Sequence, residues 1–177
     1  MIGIDASGNI ICNDFKSVFV TSTTHSGNLG GLAGADTICQ NLATSAGLPG
    51  TYMAWLSDRT DSPSTRFTKY NDRRYILTNG TTIADNWTDL TDGSINAPIS
   101  INENQDTVQE SGVWTNTYAD GTRYSQWDPT NYYDCGNWTV TGETGARGYT
   151  GSTDTTWSRQ TSVIACFTNY PIYCFQQ

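Results

Sequence analysis

Basic residues are scarce in this chain. Lys and Arg total nine against 17 Asp and Glu, only Lys16 and Lys69 are lysines, and His25 is the single histidine. The net charge of −8 and an isoelectric point near 4.3 remove the cationic surface that neutralises phosphates, which excludes DNA and RNA as partners. Long apolar runs are also missing: nothing approaches the roughly 18 consecutive residues of a membrane span, and no basic segment followed by an apolar one opens the chain. Direct membrane insertion is therefore not expected, and residues 1–177 read as a soluble piece, excised or already processed, for which export stays open. No Cys-x-x-Cys pair occurs, and one histidine leaves too few ligands for an ordinary zinc site.

Charged residues make only 15% of the chain, below the usual quarter or so. The polarity comes instead from 28 Thr, 15 Ser and 14 Asn. Six Trp and ten Tyr exclude disorder for the bulk of the chain, because disordered segments are poor in aromatics. A length of 177 residues fits one domain with a sizeable core. Five cysteines stand at 12, 39, 135, 166 and 174, and two bridges among five leave one over with 15 connectivities. Sequons at Asn79, Asn86 and Asn137 fit a surface protein but arise readily in any chain rich in Asn and Thr.

Residues 1–14 read as a polar lead with a turn at Ala6-Ser7-Gly8-Asn9, and the domain spans 15–177, beginning with a strand at Phe15 to Val20. Apolar positions at Leu32, Ala35, Ile38, Cys39, Leu42, Ala43 and Ala46 recur at three and four, which predicts a helix stopped by Gly47-Leu48-Pro49-Gly50. Tyr52 to Leu56 reads as a buried strand, and Ser62-Pro63 opens a short second helix near 62–67. Six further β-like runs follow: Tyr75 to Thr78, Thr82 to Ala84, Gly112 to Thr115, Cys135 to Thr139, Val163 to Phe167 and Ile172 to Phe175. Between 116 and 160 only one of these runs occurs, and loops of such length inside a compact domain are usually functional. The pattern is α+β, with both ends of the domain paired in one sheet.

Val18 to Cys39 (VFVTSTTHSGNLGGLAGADTIC), Tyr52 to Ser57 (YMAWLS), Asn86 to Gly93 (NWTDLTDG) and Ile172 to Phe175 (IYCF) resemble an uncharacterised family of prokaryotic surface domains with the C-type lectin-like fold, over about Phe15 to Phe175. The resemblance implies two short helices, twisted antiparallel sheets and long loops. It also implies bridges between Cys39 and Cys174 and between Cys135 and Cys166, with Cys12 outside the matched region. The Glu-Pro-Asn, Gln-Pro-Asp and Trp-Asn-Asp triplets of the calcium-dependent sugar binders are absent, and the nearest fragments are Trp127-Asp128-Pro129 and Gly136-Asn137-Trp138. Variable proteins of diversity-generating retroelements use the same fold to hold a hypervariable surface, and Asp128 to Asp134 (DPTNYYD) has the composition that adenine-directed mutagenesis leaves.

The strongest functional signal is the cluster of Tyr118, Tyr124, Trp127, Tyr132 and Tyr133, with Asp128 and Asn131, in loops rich in Gly, Asn and Thr; this is the composition of paratopes. Trp157, Arg159 and Tyr170 are expected to flank the same surface, whereas Trp55, Trp87, Trp114 and Trp138 are expected in the core. Asp85, Asp89 and Asp92, beside Asn86, offer oxygen ligands, so calcium is the one cofactor left open, although Asx turns explain the same residues. Asp128, Asn131 and Asp134 form a second oxygen-rich group. No Gly-x-Ser-x-Gly elbow accompanies His25, and Glu103, Glu110 and Glu143 do not pair as a glycosidase requires, so an enzyme is not expected. The expected role is a secreted or cell-surface recognition module for a protein or glycan ligand. A non-binding structural domain of an adhesin is the rival reading.

Overall fold

A computed structural model describes residues 3–4, 10–11, 15–124 and 132–177, the first two pairs by their backbone. Cys12, Trp127, Asp128 and Asn131 lie outside the described residues. Strands β1 (Gly3–Ile4) and β2 (Ile10–Ile11) pair with each other antiparallel.

β3 (Phe15–Val20) is apolar on both faces, and its period of two sends Val18 and Val20 into one core and Phe19 into another. The last strand, β10 (Tyr173–Gln176), pairs antiparallel with β3 and divides its side chains likewise, Tyr173 and Phe175 to the first core and Cys174 to the second. β4 (Tyr52–Ala54), β5 (Arg74–Leu77) and β6 (Thr82–Ala84) complete a mixed five-stranded sheet in the order β4-β10-β3-β5-β6, with β3 and β5 parallel. Both ends of the domain therefore share this sheet as expected, and Lys16 Nζ donates to the Gln177 carbonyl at 2.8 Å.

α1 (Gly31–Ser45) buries Ala35, Cys39 and Ala43, a stripe of small residues that brings the helix close to the sheet. Gly47 adopts φ 71° after its end, and Leu48 N–H and Gly47 N–H return to the carbonyls of Ala43 and Thr44, the Schellman pattern that satisfies open carbonyls. The helix also closes the sheet's edge. Gln40 Oε1 accepts the Tyr52 N–H and Asp36 Oδ1 the Ala54 N–H, each at 2.9 Å, so β4 has no free row of donors on its outer side. Asp36 is in turn paired with Arg66 of α2 (Pro63–Arg66).

A three-stranded antiparallel sheet, β7 (Gly112–Trp114), β8 (Thr144–Tyr149) and β9 (Val163–Ala165), stands beside the first and is joined to it by the Trp114–Ile172 bridge. α3 (Trp87–Leu90) and α4 (Cys135–Trp138) are single turns. The expected strand at Cys135 to Thr139 is replaced by α4, whose residues all have positive φ, from 51° to 62°: a left-handed turn. Asp134 Oδ1 accepts the Asn137 N–H at its start, and Trp138 is wholly buried, its indole donating to the Ser57 carbonyl at 2.9 Å. Tertiary burial thus overrides the β-prone composition. The strand that the chain does form here, β8, has little β character in its sequence (TGARGY) and was not expected.

Disulfides join Cys39 to Cys174 and Cys135 to Cys166, with Cα separations of 5.5 and 5.7 Å. They are the pairs the resemblance implies. Trp55, Trp114 and Trp138 are fully buried and Trp87 nearly so, as expected. Among the described residues no helix is long and apolar enough to cross a membrane.

Candidate functional site

A buried knot of hydroxyl and amide groups fixes the loops between the two sheets. Ser57 Oγ and Thr117 Oγ1 are 2.7 Å apart, and Asn116 Nδ2 donates to the Ser57 carbonyl. Ser158 Oγ accepts from Trp55 Nε1 at 2.7 Å and donates to the Thr117 carbonyl at 2.8 Å, while Thr115 Oγ1 donates to the Ser158 carbonyl. Apart from Asn116 Oδ1, which is buried without a partner among the described residues, the side-chain polar atoms of this knot are paired, and they hold the segment before Tyr118 and the segment before Arg159 together.

Tyr118, Tyr124 and Arg159 project from this region into a groove of about 640 Å³. Thr91, Asp92 and Gly93, directly after α3, and Thr155, Gln160 and Thr161 also line it. The Arg159 guanidinium stacks on the Tyr124 ring, 3.6 Å from its centroid, and the Tyr118 ring meets Tyr124 edge to face at 5.2 Å. Arg159 is 8% exposed, Tyr118 37%. Desolvation raises the Tyr118 pKa above its ordinary value, followed by the repulsion of a nearby Tyr124 phenolate, with Arg159 opposing them.

The remaining candidates divide. Tyr133 stacks on Tyr124 at 6.0 Å and extends the aromatic row. Tyr132, 41% exposed, lies under the Arg59 guanidinium and lines a second depression with Phe167, which is 73% exposed. Trp157, expected on the loop surface, is instead wholly buried in the first core against Trp55 and Tyr173, because the short helical turn at Thr155–Trp157 points it inward. Tyr170 is half-buried and packs edge-on against Trp114, away from the groove lining.

The oxygen-rich groups have local explanations. Asp89 Oδ2 accepts the Asp85 N–H at 2.7 Å, Asn86 caps α3 by accepting the Asp89 N–H, and Asp92 Oδ1 accepts from Ser94. Asp134 is buried and paired with Arg59 at 3.2 Å. Among the described residues no three His, Cys, Asp or Glu side chains converge to hold a metal ion. Asp89 and Asp92, with Asn71, Asn86 and Thr88, instead line a shallow depression, and Asp92 also faces the groove.

Sequence reasoning missed Thr91, Gly93, Thr155, Gln160 and Thr161. They are isolated polar loop residues, and only the Asn86 to Gly93 match marked any of them.

No protein-family model matches this chain, and none of the curated proteins is similar to it in sequence.

Proposed function

We propose that this domain is a recognition module that binds a protein or glycan ligand through the groove bounded by Tyr118, Tyr124 and Arg159. The observation that carries this reading is the groove itself: two tyrosine rings and a buried guanidinium, set on a rigid hydrogen-bonded base and open to solvent. Tyrosines supply contact area at low conformational cost, and the neutral Thr and Gln groups around them suit adaptable hydrogen bonding. A C-type lectin-like architecture agrees with the helix-to-last-strand bridge, with the pairing of the first and last strands of the domain, and with the smaller sheet built from the long central region. Two disulfides favour an oxidising compartment, hence a secreted or surface-displayed protein.

The test is binding of the purified domain to arrays of oligosaccharides and of surface proteins, with Tyr118→Ala and Thr161→Arg as groove variants. The expected result is a ligand whose affinity falls at least about tenfold in both variants while melting is unchanged. A ligand indifferent to both variants overturns the assignment of the groove. If neither array yields a ligand and Tyr132→Ala/Tyr133→Ala unfolds the domain, the aromatic row is packing and the structural-domain reading holds.

A further inference from the structure

We infer that the groove recognises a carboxylated sugar, with Arg159 pairing the carboxylate; this rests on the groove being the binding site. Arg159 is the one cationic side chain among the described residues lining it. Its Nη1 makes only a long contact, 3.5 Å, with the Ser162 carbonyl, and Nε and Nη2 have no hydrogen-bond partner among the described residues. Those two nitrogens lie along one edge of the planar guanidinium. Their parallel N–H groups have the spacing of the two oxygens of a single carboxylate, the bidentate geometry that an arginine offers and a lysine does not.

The surroundings prevent other pairings. Tyr124 covers a face of the guanidinium, so the edge is its remaining polar side. Each of the two acids of the lining has one oxygen engaged elsewhere: Asp92 Oδ1 accepts from Ser94, and Asp120 Oδ1 from the Thr122 N–H and hydroxyl. Neither forms an ion pair with Arg159 among the described residues. The unpaired edge is shielded from water, so a carboxylate pairs with it only by displacing a neighbouring side chain of the lining.

The rest of the lining selects the carrier of that carboxylate. Thr91, Thr155, Thr161 and Gln160 present neutral hydroxyl and amide groups, and Tyr118 presents an aromatic surface, a match to a ring bearing hydroxyls on its rim and C–H groups on its faces. Peptides that bind by strand addition need an open sheet edge, and no described groove residue belongs to a strand.

The experiment is calorimetric titration of the native domain, Arg159→Lys and Arg159→Gln with three probes. These are oligosaccharides containing glucuronate, galacturonate or N-acetylneuraminate, the methyl esters of the same oligosaccharides, and a Glu-rich peptide. The Arg159 Nε–H resonance is followed by NMR. Expected are binding of at least one acidic oligosaccharide, a loss of tenfold or more on esterification or in either variant, and a shift of the Nε–H signal. Equal binding of acid and ester, unaltered in Arg159→Gln, overturns the carboxylate inference and leaves the groove assignment standing. Arg159-dependent binding of the peptide alone overturns the sugar class. No binding of any acidic oligosaccharide overturns the inference, and the groove reading is then judged by Tyr118→Ala and Thr161→Arg on the arrays. Should Arg159→Gln fail to fold, Arg159→Lys and the ester comparison decide.

Discussion

Tyr75 and Tyr173 show what burial does to single side chains in this domain. Burial pushes the Tyr75 hydroxyl up to about 12, and Tyr173, fully enclosed, is driven well above the ordinary value of 10. A phenol whose pKa rises on folding holds its proton more tightly in the folded state. Its contribution to stability is therefore complete below pH 10 and is lost as pH climbs through the folded value. Denaturation midpoints should be level up to pH 10 and fall steeply between pH 10 and about 12. The ultraviolet titration should show exposed tyrosines ionising first and a second phase coinciding with unfolding. A single smooth phase near pH 10 with the fold intact would contradict this. Ser158 is a second residue with a disproportionate role. Ser158→Ala strands the Trp55 indole N–H in the core and cuts the tie to Thr117, a cost of about 1–3 kcal/mol. Its effect on ligand affinity should exceed that of any exposed serine substitution, since the segments carrying Tyr118 and Arg159 are both tied to it.

At the scale of elements, α1 offers a sharp contrast between propensity and packing. Alanine is the better helix former than glycine by about 1 kcal/mol, so Gly34→Ala should stabilise a free helix. Here a Cβ at position 34 falls 2.1 Å from the Leu29 carbonyl oxygen, a backbone atom that cannot turn aside. Gly34→Ala is expected to lower the melting temperature, and a rise would show that the chain before the helix relaxes freely. The same contrast explains what was legible in the sequence. α1, β3, β4 and β10 follow from periodicity and from local stop signals, because each buries a face that its own pattern defines. β8 and α4 do not. β8 is a strand because it lies between β7 and β9, and Gly145 and Gly148 are there because side chains would strike Trp114 and the Trp157 carbonyl. α4 turns left-handed because Trp138 and Cys135 must be buried, at a backbone cost of about 1–2 kcal/mol for each non-glycine residue. The tyrosines of the groove were visible as composition beside flexible residues, whereas Thr91, Thr155 and Thr161 are brought to it only by tertiary structure.

For the whole molecule, the two bridges divide the chain into nested loops with sequence separations of 135 and 31 residues. The chain-entropy model assigns them about 5 and about 4 kcal/mol. Cys39→Ser/Cys174→Ser should therefore consume a large part of the roughly 5–15 kcal/mol typical of a domain. Cys135→Ser/Cys166→Ser should cost somewhat less in total stability but more in ligand binding, since its bridge lies nearer the loop region. Chemical denaturation of both pairs, with affinity measured in parallel, separates the two effects.

Lys16 and Gln177 meet at one end of the five-stranded sheet, while Trp55 and Ser57 leave β4 at the other, toward Ser158 and the groove. The polypeptide therefore traces a circuit whose opening lies at the pole opposite the site. Sewing Gln177 to Phe15 with a few glycines and cutting instead at the exposed Asn79-Gly80 turn changes the order of the chain without moving any groove residue. Such a permuted protein is expected to keep its affinity, and in the unpermuted order a display scaffold can be mounted at Gln177 with the groove facing away from its support.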